Sequence, residues 1–227
     1  MTKKITLNEF RKSFARIKNA GWVRSARKGP TGIGHTLEQL LGLDENNIAL
    51  PDLGRVELKA HRIGSSSMIT LFTFNRKAWR MKPLEAVRRY GTPDEKGRLG
   101  LYFTMSRTPN SAGLFLHVEA ESIAVRHISG QIIAEWQLDA LAERFMQKLP
   151  ALILVSAVSE MRGDSEWFKF ERAQLLTGTS REIIGNQIQA GNIIFDLRLT
   201  TTASSTEAQF VANEENLCWL FREWRDL

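Results

Sequence analysis

Residues 51–60 read Pro-Asp-Leu-Gly-Arg-Val-Glu-Leu-Lys-Ala and contain the most informative pattern in the chain. From residue 55 onward apolar and charged side chains alternate, which is the period of a β-strand. Glu57 and Lys59 are two residues apart, so a strand would project both from one face. Asp52 lies in the turn that leads into this strand. We therefore predict a turn and a strand that bring two carboxylates and a lysine together.

This residue set indicates a particular chemistry. The carboxylate oxygens of Asp52 and Glu57 are the type of ligand that a hard divalent ion prefers. The ammonium group of Lys59 can neutralise a phosphate oxygen, or orient and help to deprotonate an attacking water molecule. Together these groups suit metal-assisted hydrolysis of a phosphodiester bond. The pattern is short, and the alternative interpretation is an ordinary solvated strand face.

The charge of the chain is unevenly distributed. It has 227 residues, with 31 Lys and Arg against 25 Asp and Glu, which gives a net charge of +6. Residues 1–28 contain nine basic residues and one acidic residue, and residues 55–98 contain eleven and four. Between them, residues 29–54 contain four acidic residues and no basic one, and Glu38 and Asp52 are among them. Basic flanks suit a polyanion such as nucleic acid, although a solvated basic surface is the alternative.

Length and composition exclude several classes of protein. The chain suits one compact domain or two lobes that share a cleft, and it is long enough to bury a core. Cys218 is the only cysteine, so neither a disulfide within the chain nor a cysteine-based zinc cluster is expected. The sequence has no apolar run of 18 residues and no signal-peptide core after Met1. We expect a cytoplasmic, intracellular protein with no membrane partner.

Hydrophobic periodicity predicts a mixed α/β fold with a largely antiparallel sheet. Thr6 and Glu9 form a capping box at the start of the first helix. The predicted helices cover residues 6–20, a short segment from about 34, and residues 138–149, 180–190 and 213–224. The predicted strands cover residues 55–60, 68–74, 100–105, 113–119, 122–127, 131–136, 151–158, 167–170 and 193–199.

The glycine-rich segment 29–36, Gly-Pro-Thr-Gly-Ile-Gly-His-Thr, is one residue short of a phosphate-binding P-loop. His35 occupies the position where that motif needs lysine, and the preceding residues 22–28 are too polar for the required strand. We therefore do not expect a nucleotide site. The glycines still allow backbone N–H groups to approach a phosphate, and a flexible loop at a helix start is the alternative.

Several segments taken together carry a family resemblance. They are Gly21-Trp22, Arg27-Lys-Gly-Pro-Thr-Gly-Ile-Gly-His-Thr-Leu-Glu-Gln-Leu-Leu41, Pro51-Asp-Leu-Gly-Arg-Val-Glu-Leu-Lys59, Ser67-Met-Ile-Thr-Leu-Phe-Thr73 and Arg88-Arg-Tyr-Gly91. This combination resembles the MvaI/BcnI restriction endonucleases and, more distantly, the mismatch-repair nicking enzyme MutH. The resemblance implies a PD-(D/E)xK fold of the α/β class, with a central mixed sheet flanked by helices and two lobes around a DNA cleft. It also implies a metal-dependent deoxyribonuclease that uses Mg²⁺, with Mn²⁺ as a substitute, to cut double-stranded DNA.

The resemblance also implies roles for individual residues. Asp52 and Glu57 take the positions of the metal ligands, Lys59 that of the catalytic lysine, and Glu38 that of a helix carboxylate supporting the metal shell through water. The expected DNA contacts in this part of the chain are Lys28, Thr31, Gly32, Gly34, His35 and His61. For Glu38 an exposed helix acid is the alternative, and for each histidine a hydrogen-bonded loop or strand residue.

We expect one nuclease domain over residues 1–227, with a catalytic lobe around 1–75 and 99–160 and a DNA-recognition lobe around 160–227.

One segment departs from the family. Its members carry a long segment rich in lysine and histidine near the C-terminus that helps to read bases, whereas residues 200–209 here are short and contain neither of these nor arginine. Base edges are best read by arginine, lysine, asparagine or glutamine. Besides Gln209, the residues that could take over this role are Arg76, Arg80, Arg88, Arg107 and Arg198.

Trp79, within the basic segment 76–82, is a candidate for clamping a DNA strand by stacking. We expect Trp136, Trp219 and Trp224 to be core residues.

Three hypotheses follow. The first is a monomeric, bacterial type II restriction-like endonuclease. The second is a nicking or accessory nuclease that a protein partner guides in repair or phage defence. The third is a non-catalytic DNA-binding module, which the acidic residues of the predicted site oppose because carboxylates repel phosphate unless a metal is present.

Overall fold

Strands and helices are interleaved along the whole chain. The computed structural model describes residues 5–43, 48–50, 54–65, 68–73, 78–200 and 207–227. The helices are α1 (Leu7–Ala20), α2 (Gly32–Leu41), α3 (Pro83–Tyr90), α4 (Leu138–Lys148), α5 (Arg181–Ala190) and α6 (Glu214–Leu217), which a 3₁₀ turn, Cys218–Leu220, extends. The strands are β1 (Ile5–Thr6), β2 (Trp22–Arg24), β3 (Ile48–Leu50), β4 (Gly54–Arg62), β5 (Ile69–Thr73), β6 (Thr92–Pro93), β7 (Leu99–Met105), β8 (Leu114–Val118), β9 (Ser122–His127), β10 (Ile132–Gln137), β11 (Ala151–Arg162), β12 (Ser165–Thr177), β13 (Ile194–Thr200), β14 (Glu207–Ala212) and β15 (Glu223–Asp226).

The chain divides into two units. Unit 1 comprises Met1–Ser67, Lys148–Thr179 and Phe221–Leu227, and unit 2 comprises Met68–Gln147 and Ser180–Leu220. The unit boundaries differ from the predicted lobe bounds, since residues 99–147 lie in unit 2 and residues 160–179 in unit 1. Residues 160–179 lie in unit 1 because β11 pairs with β12 along its full length, which keeps both strands in one sheet. The roles predicted for the two lobes remain predictions.

Unit 1 is built on a mixed sheet. Its strand order is β1-β3-β4-β11-β12-β15, and β2 pairs with the outer part of β12. Strands β4 and β11 are parallel, with Glu57 beside Leu152 and Arg62 beside Ala157. Strands β1 and β3 are also parallel, and the other described pairs of this sheet are antiparallel. The predicted mixed sheet is therefore confirmed.

Two helices cover one face of this sheet and form its core. Helix α1 contributes Phe10, Phe14 and Ile17, and α2 packs on β4 within the same cluster. Val56 and Leu58 of β4 are buried in this cluster, at 0% and 5% exposure. Since side chains alternate along a strand, Glu57 and Lys59 project from the opposite face. The burial of one face thus determines which side chains the other face presents.

Unit 2 contains two antiparallel sheets, β10-β9-β8 and β5-β14-β13-β7-β6. The ring of Trp136 on β10 contacts the rings of Phe195 and Phe210, with centroid distances of 4.8 and 5.5 Å. Trp136 is 3% exposed, which confirms it as a core residue. Among the helices that the structure describes, none is long and apolar enough to cross a membrane.

The C-terminal segment differs from the prediction. A helix over 213–224 is wrong, because α6 ends at Leu217 and residues 223–226 form the edge strand β15 beside β12. The prediction failed because it used only the hydrophobic pattern within the segment. That pattern contains no information about the edge of β12, with which residues 223–226 pair. Trp219 and Trp224 are 62% and 58% exposed, so their assignment to the core is also wrong.

Helix α3 went unpredicted. Pro83 occupies its first turn, a position that favours helix initiation, and this signal could have identified it.

The capping box at the start of α1 is confirmed. The Thr6 hydroxyl accepts a hydrogen bond of 3.2 Å from the backbone N–H of Glu9, and the Glu9 carboxylate accepts one of 2.7 Å from the backbone N–H of Thr6.

We expect Thr6→Ala to lower the free energy of unfolding by about 1 kcal/mol, because an N-cap acceptor is lost. Thr6→Ser is the matched control, since it keeps the acceptor and should retain most of the stability. Urea denaturation of the three proteins measures the difference. A Thr6→Ala protein as stable as the wild type would contradict this role of the capping box.

Candidate active site

The side chains of Glu57 and Lys59 form an ion pair on the face of β4 that points away from α1 and α2. The Lys59 Nζ lies 3.1 Å from the Glu57 Oε1, and the two side chains are 27% and 18% exposed. Partial burial lowers the effective dielectric constant and strengthens such a pair relative to one in open water. The prediction that these residues share one face is confirmed.

His61 lies two residues after Lys59 on β4 and therefore on the same face of the strand. It is 9% exposed, and its Nε2 is hydrogen-bonded at 2.7 Å to the Oγ of Ser156, its neighbour on β11. Burial lowers the pKa of the His61 imidazole, so the ring is neutral at pH 7. This environment favours the alternative stated for His61, a hydrogen-bonded strand histidine, over a phosphate contact.

Two further residues, Asp52 and Glu38, belong to the predicted metal site. Asp52 lies outside the described residues, so its position beside Glu57 stays a prediction. Glu38 lies half-buried on α2, which packs on the Val56 and Leu58 face of β4. Within the described part of the chain, no three His, Cys, Asp or Glu side chains are grouped to hold a metal ion. The Glu57 carboxylate is an accessible hard oxygen donor, so its chemistry fits a divalent ion that Asp52 would complete.

The glycine-rich segment joins β2 to α2 and is held in place by its own polar groups. The Thr36 hydroxyl accepts a 3.0 Å hydrogen bond from the backbone N–H of Ala26 and donates one of 2.7 Å to the Gly32 carbonyl. Helix α2 begins at Gly32, and Thr31 stands at its N-cap without a side-chain capping bond. Lys28 and Thr31 are exposed, whereas Gly32 is buried and Gly34 and His35 are half-buried.

An open groove of about 660 Å³ runs between this segment and the tip of the β11–β12 hairpin. Its basic members are Arg24, Arg27 and Lys28, and the hairpin contributes residues 161 and 164–166. The Arg24 guanidinium is hydrogen-bonded to the Ser165 hydroxyl at 2.7 Å. The lining also includes the acidic Asp164 and Glu166, while the cations of Arg27 and Lys28 come from the loop that carries several predicted DNA contacts.

Three predicted DNA contacts lie in or near residues 76–82. Arg76 is outside the described residues. Trp79 is half-buried, and its backbone forms a bridge with Ala134 of β10. Arg80 is exposed, and its Nη2 lies 3.0 Å from the Glu135 Oε2. Trp79 and Arg80 therefore belong to unit 2, and the proposed stacking of Trp79 on DNA stays a prediction.

Arg198 of β13, one of the alternative base-reading arginines, is held by a neighbouring aspartate. Its Nε donates to the Asp196 Oδ2 at 2.8 Å, and the other oxygen of Asp196 accepts from the Thr104 hydroxyl at 2.9 Å. Asp196 is nearly buried while Arg198 is 54% exposed. A buried carboxylate thus restrains an exposed guanidinium, which keeps further N–H donors available. Gln209 is held in a similar way, because its Oε1 accepts from the Thr70 hydroxyl at 3.0 Å.

The sequence did not predict three residues that hold the site strand β4 and the glycine-rich segment, namely Arg62, Ser156 and Glu166. Arg62 follows the site strand and pairs with Glu166, which is 104 residues away in the chain. Ser156, the partner of His61, is 95 residues away. Short-range spacing contains no signal for such pairs, although a polar serine within the apolar run 151–158 marks an internal partner.

The comparisons with known proteins agree with this geometry. A solved structure described as "Restriction endonuclease MvaI-cognate DNA substrate complex" matches with a TM-score of 0.77 and 25% identity, over 97% of each chain. A second, "Restriction endonuclease MvaI in the absence of DNA", matches with a TM-score of 0.53 and 24% identity, over 100% of this chain and 99% of that one. No curated protein matches the chain. The fold is thus that of a restriction endonuclease.

A family model narrows this class. The model of the MvaI/BcnI restriction endonuclease family matches residues 11–221. The chain belongs to this family, which confirms the resemblance that the sequence segments between Gly21 and Gly91 indicated. Family membership makes it a nuclease of the restriction endonuclease type.

We expect Gly32→Ala and Gly34→Ala to differ sharply although both lie in the first turn of α2. A Cβ at Gly32 would lie 2.6 Å from the Arg27 carbonyl oxygen and 2.8 Å from the Ser25 hydroxyl, so the loop must shift. Such overpacking costs about 1–3 kcal/mol. At Gly34, a Cβ meets no heavy atom within 4 Å in the described part of the chain, and alanine favours a helix.

Thermal unfolding measures this pair of variants. Gly32→Ala should melt at a lower temperature than the wild type, and Gly34→Ala at an equal or higher temperature. Equal melting temperatures for the two variants would contradict the close approach at Gly32.

Proposed function

We propose that the protein is a Mg²⁺-dependent endonuclease that hydrolyses phosphodiester bonds of duplex DNA, in the manner of a type II restriction enzyme. The observation that carries this proposal is the Glu57–Lys59 ion pair on the face of β4 opposite α1 and α2, in a chain of a restriction endonuclease family. The similarity to a structure of restriction endonuclease MvaI in complex with a cognate DNA substrate supports DNA as the substrate.

Each residue of the site has a proposed task. Asp52 and Glu57 would hold Mg²⁺, or Mn²⁺ in its place. Glu38 lies on α2, which packs on the other face of β4, so its proposed support of this shell runs through water and not through direct contact. When bound, the ion supplies Lewis acidity for the phosphodiester and for the attacking water. The ammonium group of Lys59, held 3.1 Å from Glu57, is positioned to donate hydrogen bonds to a phosphate oxygen. Such a fixed cation stabilises the negative charge that develops on the phosphate in the transition state.

DNA binding would use positive and hydrogen-bonding groups of both units. In unit 1 the exposed Lys28 and Thr31 offer an ammonium group and a hydroxyl to the phosphate backbone. Lysine and arginine contacts with phosphates supply most of the sequence-independent affinity of DNA-binding proteins. In unit 2 the candidates are Trp79, Arg80 and Arg198. We propose that Arg198 reads a base edge, because Asp196 orients its guanidinium.

A second candidate function is a nicking or accessory nuclease that a protein partner directs to its site. The observation that favours it is the composition of residues 200–209, which contain no arginine, lysine or histidine. A chain with few base-reading groups in this segment would depend more on a partner for its target. Site-specific cleavage of both strands by the isolated protein would exclude this alternative.

We expect Glu57→Gln and Lys59→Met to lower the rate of plasmid cleavage in Mg²⁺ by roughly 10²–10³-fold, because the first removes an anionic ligand of the ion and the second removes the cation beside the reacting phosphate. Conversion of supercoiled plasmid to nicked and linear forms measures the rate. Variants that cut as fast as the wild type would contradict the proposed site.

The same sheet offers a matched control. Lys169 and Glu171 on β12 form another pair two residues apart, with an Nζ to Oε1 distance of 2.8 Å. Lys169→Met and Glu171→Gln remove the same charges elsewhere in unit 1. These variants should cut at the rate of the wild type, which separates the site from a general effect of charge.

For Arg198→Ala we expect a loss of preference among cleavage sites of roughly 5–150-fold, equivalent to the 1–3 kcal/mol of one bidentate base contact. Sequencing the ends produced from plasmid DNA measures this preference. The control is Arg98→Ala, because Arg98 in unit 2 is equally exposed and also pairs with an aspartate, Asp94, at 2.7 Å. A site profile that Arg198→Ala leaves unchanged would contradict base reading by Arg198.

A further inference from the structure

Arg62 is the last residue of β4 and lies three residues after Lys59. Because side chains alternate along β4, Arg62 lies on the same face as Val56 and Leu58, which α1 and α2 cover. Its guanidinium carbon lies 5.2 Å from the centre of the Phe168 ring. The side chain is 20% exposed. Arginine stacks well on an aromatic face and remains charged, so this guanidinium is a partly buried, fixed cation.

The donors of this guanidinium are divided between two different segments. Its Nε and Nη2 donate to the two carboxylate oxygens of Glu166, at 2.6 and 2.8 Å. Its Nη1 donates to the Pro30 carbonyl at 3.0 Å, and its Nη2 also reaches the Gly29 carbonyl at 3.4 Å. The planar fork of arginine can meet a carboxylate with two bonds and still donate elsewhere. Arg62 therefore connects the hairpin to the glycine-rich segment.

Glu166 contacts the other end of that segment as well. Its backbone carbonyl accepts a hydrogen bond of 2.8 Å from the Ser25 N–H. The loop over residues 25–31 is thus held at its start by the main chain of Glu166, and near its end by Arg62. Gly29, between these anchors, has a φ of 91°, a left-handed conformation that favours glycine. The exposed Lys28 and Thr31 flank the two carbonyl groups that Arg62 binds.

We propose that Arg62, paired with Glu166, is a positioning residue that fixes the loop over residues 25–31 so that Lys28 and Thr31 meet the phosphate backbone of DNA. This inference rests on the proposed function, because it assigns the loop to the same DNA. Arg62 points away from the Glu57–Lys59 face, so it acts on binding rather than on the chemical step. Its loss should weaken DNA binding and raise KM, while kcat at saturating DNA changes little.

The first experiment compares the wild type with Arg62→Ala and Arg62→Lys. We expect the Kd for a 30-base-pair duplex to rise about tenfold in both, because a mobile loop makes weaker phosphate contacts and lysine cannot reproduce the fork. In Mg²⁺ the KM should rise by a similar factor and kcat should stay within about twofold. The control is Arg172→Ala, which removes an exposed arginine whose Nε lies 2.8 Å from Asp226 in the same sheet. A Kd for the Arg62 variants equal to that of the wild type would overturn the proposal.

A charge exchange separates positioning from simple stability. In the double variant Arg62→Glu with Glu166→Arg, an ion pair between β4 and the hairpin can form again. Residue 62 then has no donor for the carbonyl groups of Gly29 and Pro30. We expect the melting temperature to recover relative to Arg62→Ala, while the weak DNA binding persists. Recovery of wild-type DNA affinity along with stability would overturn the proposal.

Hydrogen exchange gives a readout that does not depend on DNA. In Arg62→Ala the backbone amides of residues 26–29 and 31 should exchange faster, while those of the β4 interior should not. Unchanged exchange in this loop would overturn the inference by itself. A wild-type protein that neither binds nor cuts DNA would instead overturn the proposed function, so the two failures are distinguishable.

Discussion

The alternation of side chains along β4 is the constraint on which the other features of unit 1 depend. Val56 and Leu58 are buried against α1 and α2, and each contributes about 1.5–3 kcal/mol by leaving water. A shift of one residue in the register of this strand would expose them and bury Glu57 and Lys59 instead. The hydrophobic core therefore fixes the direction of the charged pair, and the site exists because its neighbours in sequence are apolar.

The β11–β12 hairpin extends this constraint across the sheet. Strand β11 runs parallel to β4 and supplies Ser156, which holds His61 beside the charged pair. Beyond the end of β4 the hairpin continues, pairs with β2 and supplies Glu166. The framework that supports the site is thus also the framework that anchors the glycine-rich segment. Both depend on a strand pairing that brings residues about 100 positions apart into contact.

The sequence predicted the features that arise from short-range patterns. The strand with Glu57 and Lys59, the capping box of α1 and the buried strand over 151–158 all follow from spacing that a few residues display. The C-terminal segment failed for the opposite reason, because β15 forms through pairing with β12 rather than through its own pattern. The Glu166 partner of Arg62 and the Thr104 partner of Asp196 were likewise not predictable from the sequence. A hydrogen bond to Glu166 or Thr104 depends on topology, which local periodicity does not encode.

The effect of Ca²⁺ on DNA affinity tests most directly whether Glu57 belongs to a metal site in a DNA-cutting protein. Ca²⁺ is an oxygen-seeking ion that would neutralise the carboxylates of the site and relieve their repulsion of phosphate. With such a metal site, we expect Ca²⁺ to tighten duplex binding by the wild type by about tenfold or more and to have little effect on Glu57→Gln. A wild-type affinity that Ca²⁺ leaves unchanged would contradict it and would identify a DNA-binding module without a metal site.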